Sequence, residues 1–340
     1  MADKTVINKK ISPVVIVFLG LLAAIAPLST DMYLPALPAM TDNFNVSSSM
    51  VQLTLTGSLV GMAVGQLFAG PLSDIFGRKP PLIASMLIFS LATAGCFLSD
   101  SIYPFLCFRL LQGFFGGAGI VIARAVVRDI ASGPELMKLF SMLMLVNGLA
   151  PVAAPVIGGQ ILRFFSWRGV FALLFIIAVG LTVGSLIFKE TLKTTGKGGL
   201  KKSLIMYRIL MRNTYFMGHC IMQCFAFAAF FAYIAGSSFL FQNVYHLSAQ
   251  TYSYLFGING IGLWLTGLLV SRLAGHAEDW KILRCALILA FAGSIVLFLG
   301  LFFQVSVVFI AVVLFVTVST LSAMGASSFS LAMAAHGKAA

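Results

Sequence analysis

The stretch GPLSDIFGRKPP, residues 70–81, gathers Gly70, Asp74, Gly77, Arg78 and Lys79 into ten positions between long, almost uncharged runs. In a chain of 340 residues of which 9% are charged, that concentration is a marker. Two membrane-crossing helices joined by a tight polar hairpin have this pattern, because a helix needs about 20 apolar residues to cross the hydrocarbon core. The two glycines allow a turn that side chains would block. Arg78 and Lys79 assign the hairpin to the cytoplasm by the positive-inside rule.

Composition agrees with the hairpin. The chain is 60% hydrophobic, more than a soluble core absorbs, which predicts a polytopic membrane protein. A net charge of +12 suggests a nucleic-acid binder until the charges are placed. Of 22 Lys and Arg residues, 18 fall in segments expected in the cytoplasm, Arg109 and Arg124 fall inside a span, and Arg163 and Arg168 sit at an outer end. That asymmetry sets topology and needs no nucleic acid.

Outward from the hairpin, the apolar runs predict ten spans, near residues 12–38, 47–70, 80–98, 104–127, 138–162, 168–188, 213–240, 249–272, 281–303 and 305–333. Residues 1–10 read as a basic cytoplasmic tail. The first apolar run is followed at once by further spans and has no convincing cleavage site, so it reads as retained. Residues 1–188 form an expected six-helix bundle and 213–340 a four-helix one. Between them, 189–212 is a polar linker carrying Lys189, Lys193, Lys197, Lys201, Lys202, Arg208 and Arg212. Gly57, Gly61 and Gly65 form a small-residue stripe for close helix packing. Gly57 and Gly257, with SRLAGHAEDWK at 271–281 as a second hairpin, suggest an internal repeat.

Asp31, in APLSTDMYLPALP, is the one carboxylate expected within a span. Apolar surroundings disfavour a charged carboxylate, so an acid there can take up and release a proton. The alternative is a hydrated Asp31 at the outer interface, since Pro27, Pro35 and Pro38 blur the end of the span. Arg109 costs about 2.5–3.5 kcal/mol to insert, which calls for a partner or a wet cavity, unless it snorkels to the surface. Arg124 has the same choice near the other end of that span. Pro151 and Pro155, between Gly148 and Gly158–Gly159, permit a bend or serve close packing. Gln52, Gln66, Gln112, Asn147, His219 and Gln223 read first as interhelical hydrogen-bonding groups. The aromatics of span 7, including Phe227, Phe230 and Tyr233, face either a cavity or lipid. The five cysteines show no metal-ligand spacing, Cys220 and Cys224 read as packing, and no nucleophile–base pair suggests an enzyme.

On these residues the chain resembles the major facilitator superfamily, and more narrowly its Bcr/CflA group of bacterial drug:proton antiporters. GPLSDIFGRKPP is similar to the family's loop motif (Gly70, Asp74, Gly77, Arg78, Lys79), with Ile75 in place of the usual basic residue. RLLQG, Arg109–Gly113, resembles the span 4 motif tied to proton coupling. GLAPVAAPVIGG, with Gly148, Pro151, Pro155, Gly158 and Gly159, resembles the span 5 antiporter motif. STDMYLPALP is similar to the narrower group's span 1 signature. The resemblance covers the chain from span 1 to the end.

The resemblance implies an all-α, major facilitator-type bundle of twelve spans, of which ten are expected here. It implies a proton-coupled exporter of small amphipathic drugs or metabolites in the bacterial inner membrane. Such a carrier is a multi-pass monomer with a cytoplasmic N-terminus, surrounded by lipid and driven by protons with no cofactor. Asp31 and Arg109 would couple the proton, and Tyr33, Gln112, Asn147, His219 and Gln223 are candidates for lining a central cavity. Because the family's span 11 would meet Asp74, a second reading is a truncated member that inserts without transporting.

Overall fold

In the computed structural model the chain is almost wholly helical, and the structure describes residues 12–192, 210–273 and 276–334. Helix α1 (Pro13–Asp31) passes through a 3-10 turn (Leu34–Ala36) into α2 (Leu37–Phe44). Then come α3 (Ser48–Phe76), α4 (Lys79–Leu98), α5 (Ile102–Ile130), α6 (Gly133–Phe164) and α7 (Trp167–Ile187). The second group is α8 (Thr214–Phe239), α9 (Ala249–Leu273), α10 (Asp279–Phe302) and α11 (Val307–Ala334). Among the described residues ten helical stretches are long and apolar enough to cross a membrane, α1 with α2 making the first. The fold is thus the expected all-α bundle of ten spans. The basic tail 1–10, linker residues 193–209 and hairpin residues Ala274 and Gly275 lie outside the described residues.

In lipid, helices gain nothing from hiding apolar surface from one another, so they associate through close packing. The glycine stripe supplies that for α3 and α5. A Cβ on Gly61 would strike the Leu110 carbonyl oxygen, and one on Gly65 the Phe114 carbonyl oxygen. In return, Gly113 backs onto the Ser58 carbonyl and Gly117 onto Met62. Gly57 has more room, with Leu106 O 3.8 Å from a built Cβ. Gly57 faces α5, whereas Gly257 meets Val152 and Val156 of α6.

The hairpin is much shorter than the 70–81 stretch suggests. Helix α3 runs through Pro71 and Asp74 to Phe76, leaving only Gly77 and Arg78 between helices. Asp74 lies inside α3 and forms an ion pair with Arg78, which stands beyond the helix end. Gly77, at φ +88°, makes the turn; Gly70 lies within α3 against Val121 and takes no part in it. Pro80 and Pro81 fall in the first turn of α4, where a missing N–H is tolerated.

Arg78 is buried, and its guanidinium donates to Asp129 Oδ2 at 2.8 Å, to Ser73 Oγ at 2.8 Å and to Asp74. Partial burial opposes its charge, but hydrogen bonds to Asp129 and Asp74 outweigh burial and hold its pKa above the ordinary arginine value. From beyond α7, Glu190 accepts the backbone N–H groups of Arg78 and Lys79, each at 2.9 Å, and those of Thr191 and Leu192. Partial burial would raise its carboxyl, yet the four N–H bonds together keep it below the usual glutamate range. Glu190 thereby ties the end of α7 to the start of α4.

Two outcomes follow from this packing. Gly113→Val forces α3 and α5 apart, and we expect a loss of about 1–3 kcal/mol, read as a lowered thermal unfolding midpoint in detergent; an unchanged midpoint contradicts the close approach. Because the folded pKa of Glu190 is lowered, its clamp is complete above about pH 4.5 and is lost as pH falls from there through the lowered value. Glu190→Gln should speed hydrogen exchange at the Arg78 and Lys79 amides near neutral pH and flatten the acid loss of stability.

Candidate functional site

The two helix groups share a core at one end only. Near Trp167 a single buried cluster joins Tyr33, Leu37, Phe105 and Phe171 to Ile234, Phe241, Tyr252 and Phe256 of the second group. Toward the Arg78 end the core divides, with Leu22, Met86 and Ile122 in one cluster and Leu283, Ala286 and Met324 in another. Hydrogen bonds between the groups follow the same division. Gln52 Nε2 donates to Ala235 O (3.1 Å), Ser238 Oγ to Leu34 O (2.7 Å), Gln242 Nε2 to Pro35 O (3.0 Å) and Gln250 Nε2 to Gly159 O (3.1 Å). Gln160 Nε2 donates to Tyr254 Oη at 2.7 Å. All of these lie toward the Trp167 end.

Proline chemistry prepares two of these acceptors. Pro38 has no N–H to return to Leu34, so that carbonyl is left to the 3-10 bond from Leu37 and to Ser238. The partners Ser238 and Gln242 flank the start of a π-helical turn, Leu240–Val244, at the end of α8. Such turns are inserted where a helix has to re-aim side chains.

Arg109 is fully buried, which rules out snorkelling in this arrangement. Its Nη1 donates to Ser29 O at 2.9 Å and to Gln112 Oε1, and Gln112 in turn donates to Thr93 Oγ1 at 2.8 Å. The guanidinium carbon sits 4.4 Å from the centre of the Tyr33 ring, a cation–π distance, and the Tyr33 hydroxyl lies 3.1 Å from Thr54 Oγ1. Its Nε and Nη2 have no hydrogen-bond partner among the described residues.

Asp31 is also buried, at 7% exposure, so it is not a hydrated interfacial acid. It lies within electrostatic reach of Arg109, but no ion pair within 4 Å joins them. Tyr233 and Tyr252 of the second group are also within its reach. These tyrosines are held in turn, Tyr233 by Asn259 at 2.6 Å and Tyr252 by Ser237 at 3.0 Å. The acid is therefore buried within electrostatic reach of a cation of its own group and of two phenols of the second group.

The other candidates separate by position. Tyr33 and Gln112 belong to the Arg109 assembly. Asn147 donates back to Leu143 O of its own helix, and Arg124 is exposed. His219 Nδ1 lies 3.2 Å from Ser328 Oγ, toward the Arg78 end of the second group, and Gln223 lies one turn further into α8. Pro151 and Pro155 lie inside an uninterrupted α6, where Gly158 backs onto the Met32 carbonyl and Gly159 onto Ser253. The loop motif, Gly70 to Lys79, is at the far end, away from Asp31. Tyr233, one of the span 7 aromatics expected to face either a cavity or lipid, lies within reach of Asp31, whereas sequence reading missed Thr93, Tyr252 and Asn259. No group of three or more His, Cys, Asp or Glu residues that could hold a metal occurs among the described residues.

Known proteins share this architecture and sequence. The chain is 37% identical over 324 residues to the MFS-type transporter YdgK of Bacillus subtilis, covering 94% of this chain and 81% of that protein. It is 33% identical over 297 residues to a bicyclomycin resistance protein homolog of Haemophilus influenzae, covering 86% and 74% of the two chains. The solved structure of a D-xylose-proton symporter superposes with a TM-score of 0.74 over 94% of this chain and 85% of that one, at 16% identity, a likeness of fold. A family model described as Major Facilitator Superfamily matches residues 19–340, and the chain belongs to that family of membrane transporters.

Proposed function

We propose that the chain is a proton-coupled antiporter that exports small amphipathic drugs or metabolites across the bacterial inner membrane. The Arg78 end and the N-terminus face the cytoplasm on this reading, as the distribution of Lys and Arg favours. Similarity to a protein named for bicyclomycin resistance supports drug export. The observation that carries proton coupling is the burial of Asp31 at the seam between the two helix groups, within reach of Arg109 and Tyr233.

The mechanism follows from the two charge states of that acid. With the Trp167 end closed, Asp31 is buried and within reach of Tyr233 of the second group, an environment that suits a neutral carboxyl. A proton taken from the outside lets the acid sit there and lets the groups close externally. Loss of the proton to the cytoplasm leaves a carboxylate that favours Arg109 and disfavours the closed seam. Substrate entering from the cytoplasm then accompanies reopening to the outside. One proton entering supplies about 2.3 kcal/mol per 100 mV of membrane potential, besides its concentration gradient. Pairing of rigid groups around a central acid is a general plan for alternating access.

Efflux of the neutral fluorescent dye N-phenyl-1-naphthylamine from cells expressing the chain should stop with a protonophore and with Asp31→Asn. Efflux by Asp31→Asn at the wild-type level, or no wild-type efflux above empty vector with the protein in the membrane, overturns the antiporter reading. The external closure has its own test. Each neutral hydrogen bond contributes about 1 kcal/mol, so Ser238→Ala with Gln242→Leu should raise the externally open fraction at least tenfold. Spin-label distances between positions 45 and 244 would report it in a cysteine-free background.

A further inference from the structure

We infer that the groove between α1 and α7 is a lipid site, holding an acyl chain of an anionic phospholipid with its phosphate at Lys189. The groove measures about 910 Å³, and its walls are apolar, with Val14, Val17 and Leu21 from α1 and Ile177, Gly180 and Ile187 from α7. Where it faces decides what covers it. Helix α7 packs on α4, α1 and α6 of its own group, and none of the hydrogen bonds across the seam comes from α1 or α7. Val14, Val17, Leu21 and Ile187 are exposed, and in a membrane-spanning chain an exposed apolar face away from the seam meets lipid. From Ile177 to Ile187 helix α7 rises about 15 Å, half of a hydrocarbon core about 30 Å thick. The groove thus has the length of the acyl chains in one leaflet.

Charge at one end of the groove sets the headgroup. Lys189, Ser12 and Thr191 line it where α7 stops, at the Arg78 end. Lys189 joins no ion pair among the described residues. The neighbouring acids are engaged elsewhere: Glu190 accepts four backbone N–H groups, and Asp129 accepts from Arg78 and from the Thr191 hydroxyl. The Ser12 hydroxyl does not cap its own helix and is a second donor on the same side. A lysine at the edge of the hydrocarbon attracts an anionic headgroup while its apolar stem lies along the groove. A zwitterionic headgroup would bring its own cation against Lys189, and an anionic one does not.

The glycines of α7 shape the wall. A Cβ at Gly184 would strike the Phe18 ring, where α1 and α7 touch, whereas a Cβ at Gly180 would meet nothing within 4 Å. Glycine weakens a helix, so at Gly180 it has a cost and no packing reason within the protein. A flat wall for an acyl chain supplies one. On the orientation proposed above the lipid belongs to the cytoplasmic leaflet, but the site depends neither on that orientation nor on antiport.

The test is native mass spectrometry of the purified full chain released from detergent, titrated with phosphatidylglycerol or with phosphatidylcholine of the same acyl chains. Wild type should retain the first phosphatidylglycerol at about fivefold lower concentration than phosphatidylcholine, the effect of one lysine on one negative charge. Lys189→Gln should remove that preference. Gly180→Phe, which fills the open space, should weaken retention of phosphatidylglycerol severalfold, and glycerol 3-phosphate, an anion without chains, should not compete. Equal retention of the two lipids by wild type overturns the inference without any variant. A preference that survives Lys189→Gln, or retention that Gly180→Phe leaves unchanged, also overturns it. Competition by glycerol 3-phosphate would make this a site for soluble anions, and a dimer dispersed by Gly180→Phe would give the groove to a second copy; either result overturns the lipid assignment.

Discussion

A fully buried guanidinium has to be compensated by its surroundings, and the way Arg109 is held explains much of the first helix group. Insertion of an arginine costs about 2.5–3.5 kcal/mol, so its surroundings are expected to compensate. Part of the compensation is the end of a helix. Helix α1 stops at Asp31, and the carbonyl of Ser29 is among the last that lack an intrahelical donor. Arg109 donates to that oxygen, at the negative end of the α1 dipole, while the Tyr33 ring covers the guanidinium face. Gln112 and Thr93 continue the support into α4. An unbroken first span would give Arg109 no carbonyl to cap.

The same break serves the seam between the groups. Beyond Asp31 the chain passes through a 3-10 turn carrying Pro35 and then reaches Pro38, so the carbonyls of Leu34 and Pro35 remain open to outside donors. Ser238 and Gln242 of α8 take them. Membrane-embedded backbone needs internal partners wherever a helix is interrupted. One proline-rich segment thus exposes acceptors in two directions, to Arg109 within its own group and to α8 across the seam. Asp31 stands between those two sets of bonds, a position from which its charge bears on both.

What the sequence discloses here is what has a signature along the chain. Long apolar runs gave the ten spans, glycines four apart gave the α3–α5 packing, and the rarity of charge pointed to Asp31 and Arg109. The hairpin is shorter than the charged stretch because Asp74 sits inside α3 and Pro80 and Pro81 inside the first turn of α4, which leaves only Gly77 and Arg78 as the turn. Glu190 was passed over as one acid in a basic stretch, since its partners are backbone N–H groups 111 and 112 residues away. The glutamines across the seam were hidden for the same reason. Gln52, Gln242 and Gln250 donate to carbonyl oxygens, which every residue has, so no side-chain pattern identifies the acceptor.

Whether the acid carries the proton alone or also meets the substrate has an energetic consequence. If Asp31 bound substrate directly, a cationic substrate would compete with the proton for one carboxylate, and exchange would move little net charge. Where Asp31 carries the proton alone and the substrate is neutral, the two do not compete for one charge. Exchange of one neutral molecule for one proton then carries a full charge inward in each cycle. The membrane potential adds about 2.3 kcal/mol per 100 mV to the pH gradient.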